Sequence, residues 1–129
     1  MKLKKYLLLS LTMLAACSIF GFSFGGAKGY TSISPEEAKR LMDTETVTIV
    51  DVRQPAEYAD GHIPGAILVP LDTIGPETPA LLPDKQAALL LYCRSGARSK
   101  KAAQQLAKLG YTNIREFGGI IEWPYEIEK

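Results

Sequence analysis

Apolar residues along this chain fall into short blocks punctuated by Gly, Pro and charge. Residues 47–52 (VTIVDV), 66–70 (AILVP), 87–93 (AALLLYC) and 113–117 (NIREF) read as strands. The first is short and β-branched and the next two are apolar runs, as expected of strands buried on both faces. Helical periodicity precedes the first and lies between the others. SPEEAKRLM places Ser34 at an N-cap, Pro35 at the first helical position and Glu37 where it completes a capping box. Its apolar face is Ala38, Leu41 and Met42. PAEYAD predicts one or two turns ended by Gly61, and HIPG predicts a turn. Residues 71–82, with Pro76 and Pro79, predict short helical turns, and Pro83 and Asp84 mark a further turn. In ARSKKAAQQLAKLG, Ala102, Leu106 and Leu109 share one face, and Gly110 is the expected C′ residue. GGIIEWPYEIEK closes the chain, and Trp123 is expected to pack that segment. AKGYTSIS, residues 27–34, reads as a short Gly/Ser link, and no internal repeat is visible.

Strands alternating with helices imply an α/β domain with a parallel sheet covered on both faces. Ligands of such sheets bind beyond the carboxyl ends of the strands. Asp51 and Cys93 both end strands, so the pattern brings them toward one rim.

The N-terminus changes the picture. Lys2, Lys4 and Lys5 precede an uncharged apolar run over residues 6–27. Such a segment is an export signal, a membrane anchor or both. LAAC, residues 14–17, resembles a bacterial lipobox in which Cys17 would be lipidated, although the residues after it stay apolar. Gly25 and Ala27 would alternatively serve ordinary cleavage before Lys28. An uncut run at about 1.5 Å per residue is also long enough to cross a bilayer. All three fates put residues 28–129 on the extracytoplasmic face, because the lysines stay inside. The expected division is therefore a leader over 1–27 and one domain over 28–129.

Composition adds exclusions. The chain has 129 residues, enough for one domain, with 15 basic and 14 acidic residues. Without the leader lysines the balance is mildly acidic, and there is no clustered basic face for nucleic acid. Cys93 is the one cysteine outside the leader, so the domain has no internal disulfide. One histidine and one domain cysteine do not make a four-ligand zinc site, so no metal is expected, and no cofactor is expected either. A monomer is expected.

The loop after 87–93 carries the candidate chemistry. Cys93 ends a strand and a helix begins near Ala97, with Arg94, Ser95 and Gly96 between them. Gly96 permits a tight turn. Free amides at a helix start, together with its dipole, make an anion cradle, to which Arg94 and Arg98 add charge. A thiol there ionises easily and becomes a nucleophile without a histidine base. A lone cysteine after an apolar run is otherwise core filler; the Gly, the two Arg and the helix start together favour the nucleophile.

DVRQPAEYADGHIPGAILVP (51–70), YCRSGARS (92–99) and LGYTNIREFGGIIEW (109–123) resemble, in order and spacing, the rhodanese family of sulfurtransferases. The resemblance implies a three-layer α/β/α domain with a five-stranded parallel sheet. It implies that Cys93 takes sulfane sulfur from a small anionic donor such as thiosulfate and passes it from a persulfide to cyanide or a thiol. The loop Cys93–Arg98 would bind donor and persulfide. Its four intervening residues match sulfur transfer, where the related phosphatases and arsenate reductases have five. The alternatives are a non-enzymatic sulfur carrier or interaction domain and, less favoured by that loop length, a phosphatase or arsenate reductase. Asp51 is expected either to orient the loop or pair with an arginine, or else to be a turn former. Arg53 either lines the pocket or is a solvated charge. Glu57 is read as an exposed helix carboxylate in preference to a partner of Arg98, and His62 as structural.

Overall fold

The structure, a computed structural model, describes residues 28–129. The leader and Cys17 lie outside the described residues. The elements in chain order are β1 (Thr31–Ser32), α1 (Pro35–Thr44), β2 (Thr48–Asp51), α2 (Pro55–Asp60), β3 (Ile67–Leu68), β4 (Leu89–Cys93), α3 (Ala97–Lys108) and β5 (Ile114–Gly119). Short 3-10 turns cover Leu71–Thr73 and Ile120–Glu122. The five strands form one sheet in the order β1-β5-β4-β2-β3, and every pairing is parallel.

β4 is central and buried at every position. Its alternation divides the core. Leu89, Leu91 and Cys93 join Val50, Ala102, Ala103, Leu106 and Ile114 on the α3 face. Leu90 and Tyr92 join Ala38, Leu41, Ile63, Phe117 and Trp123 on the α1 face. The period of two in an all-apolar strand thus directs the Cys93 side chain toward the start of α3. β2 passes the chain outward to β3, and β4 returns to its other side, so the rim between the ends of β2 and β4 is a topological switch point.

Local signals account for the helices. Ser34 Oγ accepts from the Glu37 amide at 3.1 Å and Pro35 occupies the first turn of α1. The reciprocal half of the expected capping box is absent, because the Glu37 carboxylate pairs with Arg40 at 2.8 and 2.7 Å. The Gln54 amide of α2 instead donates to Glu57 Oε1 at 3.0 Å. Gly110 follows α3 with φ +101°, as its C′ position requires.

Three expectations change. The stretch read as a link contains β1, an edge strand in register with Arg115 and Glu116. β3 is two residues long, where the pattern suggested five. Arg53 is neither a pocket lining nor a solvated charge. It is 5% exposed, and its guanidinium donates to Asp51 at 2.7–3.1 Å and to the Gly61 carbonyl at 2.7 Å. Asp51, fully buried, also accepts from the Arg53 amide at 2.9 Å and the Tyr92 hydroxyl at 2.7 Å. The same hydroxyl accepts from the Ile63 amide at 3.0 Å. Burial and the bond to Asp51, outweighing the Ile63 amide, push the Tyr92 phenol well above its ordinary range. This node ties the ends of β2 and β4 to the turn after α2.

Asp51→Ala should therefore strand the Arg53 charge and lower the unfolding free energy by about 3–5 kcal/mol. Urea melts of the two proteins measure this; a loss below about 1 kcal/mol would show that the node does not hold the rim.

Candidate functional site

Cys93 is 1% exposed, yet its sulfur is met by polar groups. The Gly96 amide donates to Sγ at 2.9 Å, and the Ser99 hydroxyl lies 3.6 Å away. Burial pushes the thiol up. The Ser99 hydroxyl and the amides of Ser99, Gly96 and Ser95 outweigh it, and the thiol titrates below its ordinary value. Gly96 caps α3 with φ +109° and ψ −18°, a left-handed conformation that turns its amide back onto the sulfur. Ser99 is buried and is satisfied within the cradle: Gly96 O lies 3.0 Å from its hydroxyl.

The loop is propped from below by β5. Gly119 has an extended φ of −135°, open to any residue, so space is what selects glycine there. A Cβ at Gly119 would lie 1.8 Å from the Arg94 carbonyl oxygen and 2.5 Å from the Ser95 nitrogen. The Ile121 amide also donates to the Arg94 carbonyl at 3.3 Å. The loop backbone thus rests directly on the end of β5, where the strand pairing of Cys93 with Gly119 breaks register.

The expected loop residues fall into two groups. Ser95 and Gly96 bring amides to the sulfur; Ala97 opens α3. Arg94 and Ser95 expose their side chains. The Arg98 guanidinium is engaged by Glu57 in a two-pronged pair at 2.7 and 2.9 Å. Glu57 is therefore the partner of Arg98 and not an isolated helix carboxylate, and that hydrogen bond holds its carboxyl at about 2. Asp51 pairs with arginine and does not touch the loop; it acts through Tyr92, the neighbour of Cys93. His62 stacks on Tyr58 at 3.7 Å, and its Nδ1 is 2.9 Å from the Tyr58 carbonyl, a structural setting. Sequence reasoning passed over Glu116 and Gly119. A carboxylate on the inward side of β5, two positions after Ile114, was the available signal for Glu116.

The comparisons agree with this geometry. The Rhodanese-like domain model matches residues 34–124. The chain belongs to the rhodanese-like family. A sulfurtransferase of Allochromatium vinosum is 45% identical over 87 residues, covering 67% of this chain and 79% of that protein. The thiosulfate sulfurtransferase PspE of Escherichia coli is 35% identical over 71 residues, covering 55% and 68%. The crystal structure of a rhodanese-like domain protein from Staphylococcus aureus superposes with a TM-score of 0.66 at 34% identity, over 76% of this chain and 96% of that one. A protein of Erwinia tasmaniensis named tRNA uridine(34) hydroxylase is also similar, at 31% identity over 106 residues, covering 78% of this chain and 30% of that protein, so similarity alone does not single out the reaction.

Two outcomes follow. Gly119→Ala should push the Arg94 peptide out of place, costing about 1–3 kcal/mol of stability and slowing Cys93 alkylation by iodoacetamide at neutral pH roughly tenfold. Unchanged alkylation would mean that the loop does not depend on its seat. The Glu57 pKa is depressed on folding, so its contribution to stability is full above about 4.5 and is lost as pH falls toward about 2. After screening of this half-exposed pair it amounts to about 1 kcal/mol. Glu57→Gln should remove that part of the acid limb in melts recorded from pH 5 to 2.

Proposed function

We propose that this rhodanese-like protein is a sulfurtransferase in which Cys93 takes sulfane sulfur from thiosulfate or a similar small anion and delivers it to cyanide or a thiol. The observation that carries this reading is the Gly96 amide 2.9 Å from a buried Sγ, backed by the Ser95 and Ser99 amides. These neutral dipoles favour a sulfur anion without a dedicated base. In the first step the Cys93 thiolate attacks the outer sulfur of thiosulfate. The new S–S bond forms, the old one breaks, and sulfite leaves with its electron pair. Negative charge ends on the terminal sulfur of the persulfide. In the second step a nucleophilic acceptor takes that sulfur, and the electron pair of the Cys93 bond returns to Sγ. Charge is conserved at the cradle throughout, and the kinetics are ping-pong.

The similarity to a protein named thiosulfate sulfurtransferase supports thiosulfate as donor. We place the domain, residues 28–129, on the extracytoplasmic side, held or delivered by residues 1–27. The support is the charge pattern of the leader.

Intact mass after thiosulfate treatment should rise by about 32 Da, at Cys93, and cyanide should remove the increment. Cys93→Ser should gain nothing and lose at least about three orders of magnitude in thiosulfate-to-cyanide turnover. A serine variant that still transfers sulfur ends this assignment. A persulfide that forms but is not turned over would favour a sulfur-carrier domain. The mass of the protein isolated from its cells also tells whether residues 1–27 are lipidated at Cys17, cleaved or retained.

A further inference from the structure

Beneath Cys93, on the β5 side, lies a buried carboxylate that the reaction above does not use. Glu116 is 2% exposed and points to the α3 face. Its Oε1 accepts from the Gly118 amide at 2.8 Å and the Ser99 hydroxyl at 3.2 Å, and its Oε2 accepts from the Ser32 hydroxyl at 2.7 Å. Every one of these donors is neutral. Among the described residues the ion pairs form elsewhere and none includes Glu116. Buried carboxylates are normally paired with a cation; this one instead faces the nucleophile across a single hydroxyl.

Ser99 has one hydroxyl hydrogen. Gly96 O, Glu116 Oε1, Gly118 O and Cys93 Sγ lie 3.0, 3.2, 3.4 and 3.6 Å from its oxygen. With Cys93 as a thiol, the S–H donates to Ser99, which is free to donate to Glu116. With Cys93 as a thiolate, sulfur and carboxylate compete for the same hydrogen and repel each other.

We propose that Glu116 is a positioning residue that, acting through Ser99, biases Cys93 toward its sulfur-loaded form. The inference rests on the sulfur-transfer reading and deepens it. In the empty enzyme the charge sits on Sγ, next to Ser99. On loading, the Sγ–S bond forms, the donor's sulfane bond breaks, the leaving group takes its electron pair, and the charge moves about 2 Å outward to the terminal sulfur. Sγ is then neutral, and the Ser99 hydrogen goes to Glu116. The carboxylate therefore raises the energy of the empty anion more than that of the persulfide. It also makes the empty thiolate more basic, hence a stronger nucleophile, with reactivity following basicity at a slope of about 0.4–0.5.

The other charges around the pair leave this effect distinct. From α3, the Arg98 charge is paired with Glu57 of α2. On the opposite sheet face Asp51 of β2 is compensated by Arg53. Facing Glu116 are Ser32 from β1, Ser99 from α3, the Gly118 amide from β5 and Cys93 from β4.

Two variants of the full chain test this. Glu116→Gln keeps the shape and an acceptor oxygen but removes the charge. The midpoint of iodoacetamide alkylation against pH should fall by about one unit or more. At a fixed thiosulfate-to-sulfite ratio the loaded-to-empty ratio, read by intact mass, should fall roughly tenfold. Ser32 is exposed and outside the loop, so Ser32→Ala should fold. It strips one donor from the carboxylate, which then draws harder on Ser99, and the alkylation midpoint should rise. A purely structural role would move both variants the same way. A midpoint that is unchanged or raised in Glu116→Gln, or lowered in Ser32→Ala, overturns the proposal. Should wild-type protein never gain sulfur, the sulfur-transfer reading and the loading bias fall together, while the alkylation midpoints still judge the coupling between Glu116 and Cys93.

Discussion

Cys93 is 1% exposed, so an anion on its sulfur would have little water to carry the charge, and the rim of this sheet is organised around that constraint. The charge is met by dipoles: the Gly96 amide at 2.9 Å, the neighbouring loop amides and the Ser99 hydroxyl. Dipoles of this kind require a backbone held in one shape. The shape comes from glycine at two points for two reasons. Gly96 supplies a left-handed turn, and Gly119 supplies room for the Arg94 peptide to lie on β5. The loop after Cys93 is therefore a product of the sheet beneath it as much as of its own sequence.

The strand that ends in Cys93 has a buried carboxylate associated with each of its faces, and the two are handled differently. Asp51, on the α1 side, is neutralised by Arg53 and locked by Tyr92 and the turn at Gly61. It is a fastening, and its charge is cancelled before it can reach the sulfur. Glu116, on the α3 side, has neutral donors and touches the cradle through Ser99. One carboxylate holds the strand end in place; the other acts on the charge of the sulfur.

Much of this was legible in the chain. A short β-branched run marked β2, an apolar run marked β4, caps marked α1 and α3, and a glycine between a strand-end cysteine and a helix start marked the anion loop. What escaped had no local signature. β1 is two exposed residues whose pairing with Arg115 and Glu116 is wholly non-local. Arg53 follows the strand-end motif as an arginine at a turn would. Only the fold brings the Gly61 carbonyl to its guanidinium and turns a surface charge into a buried one. The choice of Glu57 as the partner of Arg98 spans 41 residues and depends on how α2 lies beside the start of α3. The need for glycine at 119 is likewise invisible in its φ, since the obstacle is another segment's backbone.

The pairing of Arg98 with Glu57 changes what the arginines of this loop do. The sequence placed two cations beside the nucleophile, as if full charge were the main attraction for an anion. In the fold, the Arg98 charge is largely spent on a carboxylate, while Arg94 presents its side chain outward and its carbonyl inward. The constant field at the sulfur is thus the one from the amides, which donate to a thiolate and do not have to rearrange when the charge moves to a bound sulfur atom. A cradle of fixed dipoles suits the sulfur transfer proposed above, whose two resting states differ by one sulfur and carry the same charge. A strongly held cation would instead favour whichever state kept the charge closest to it, and would oppose release.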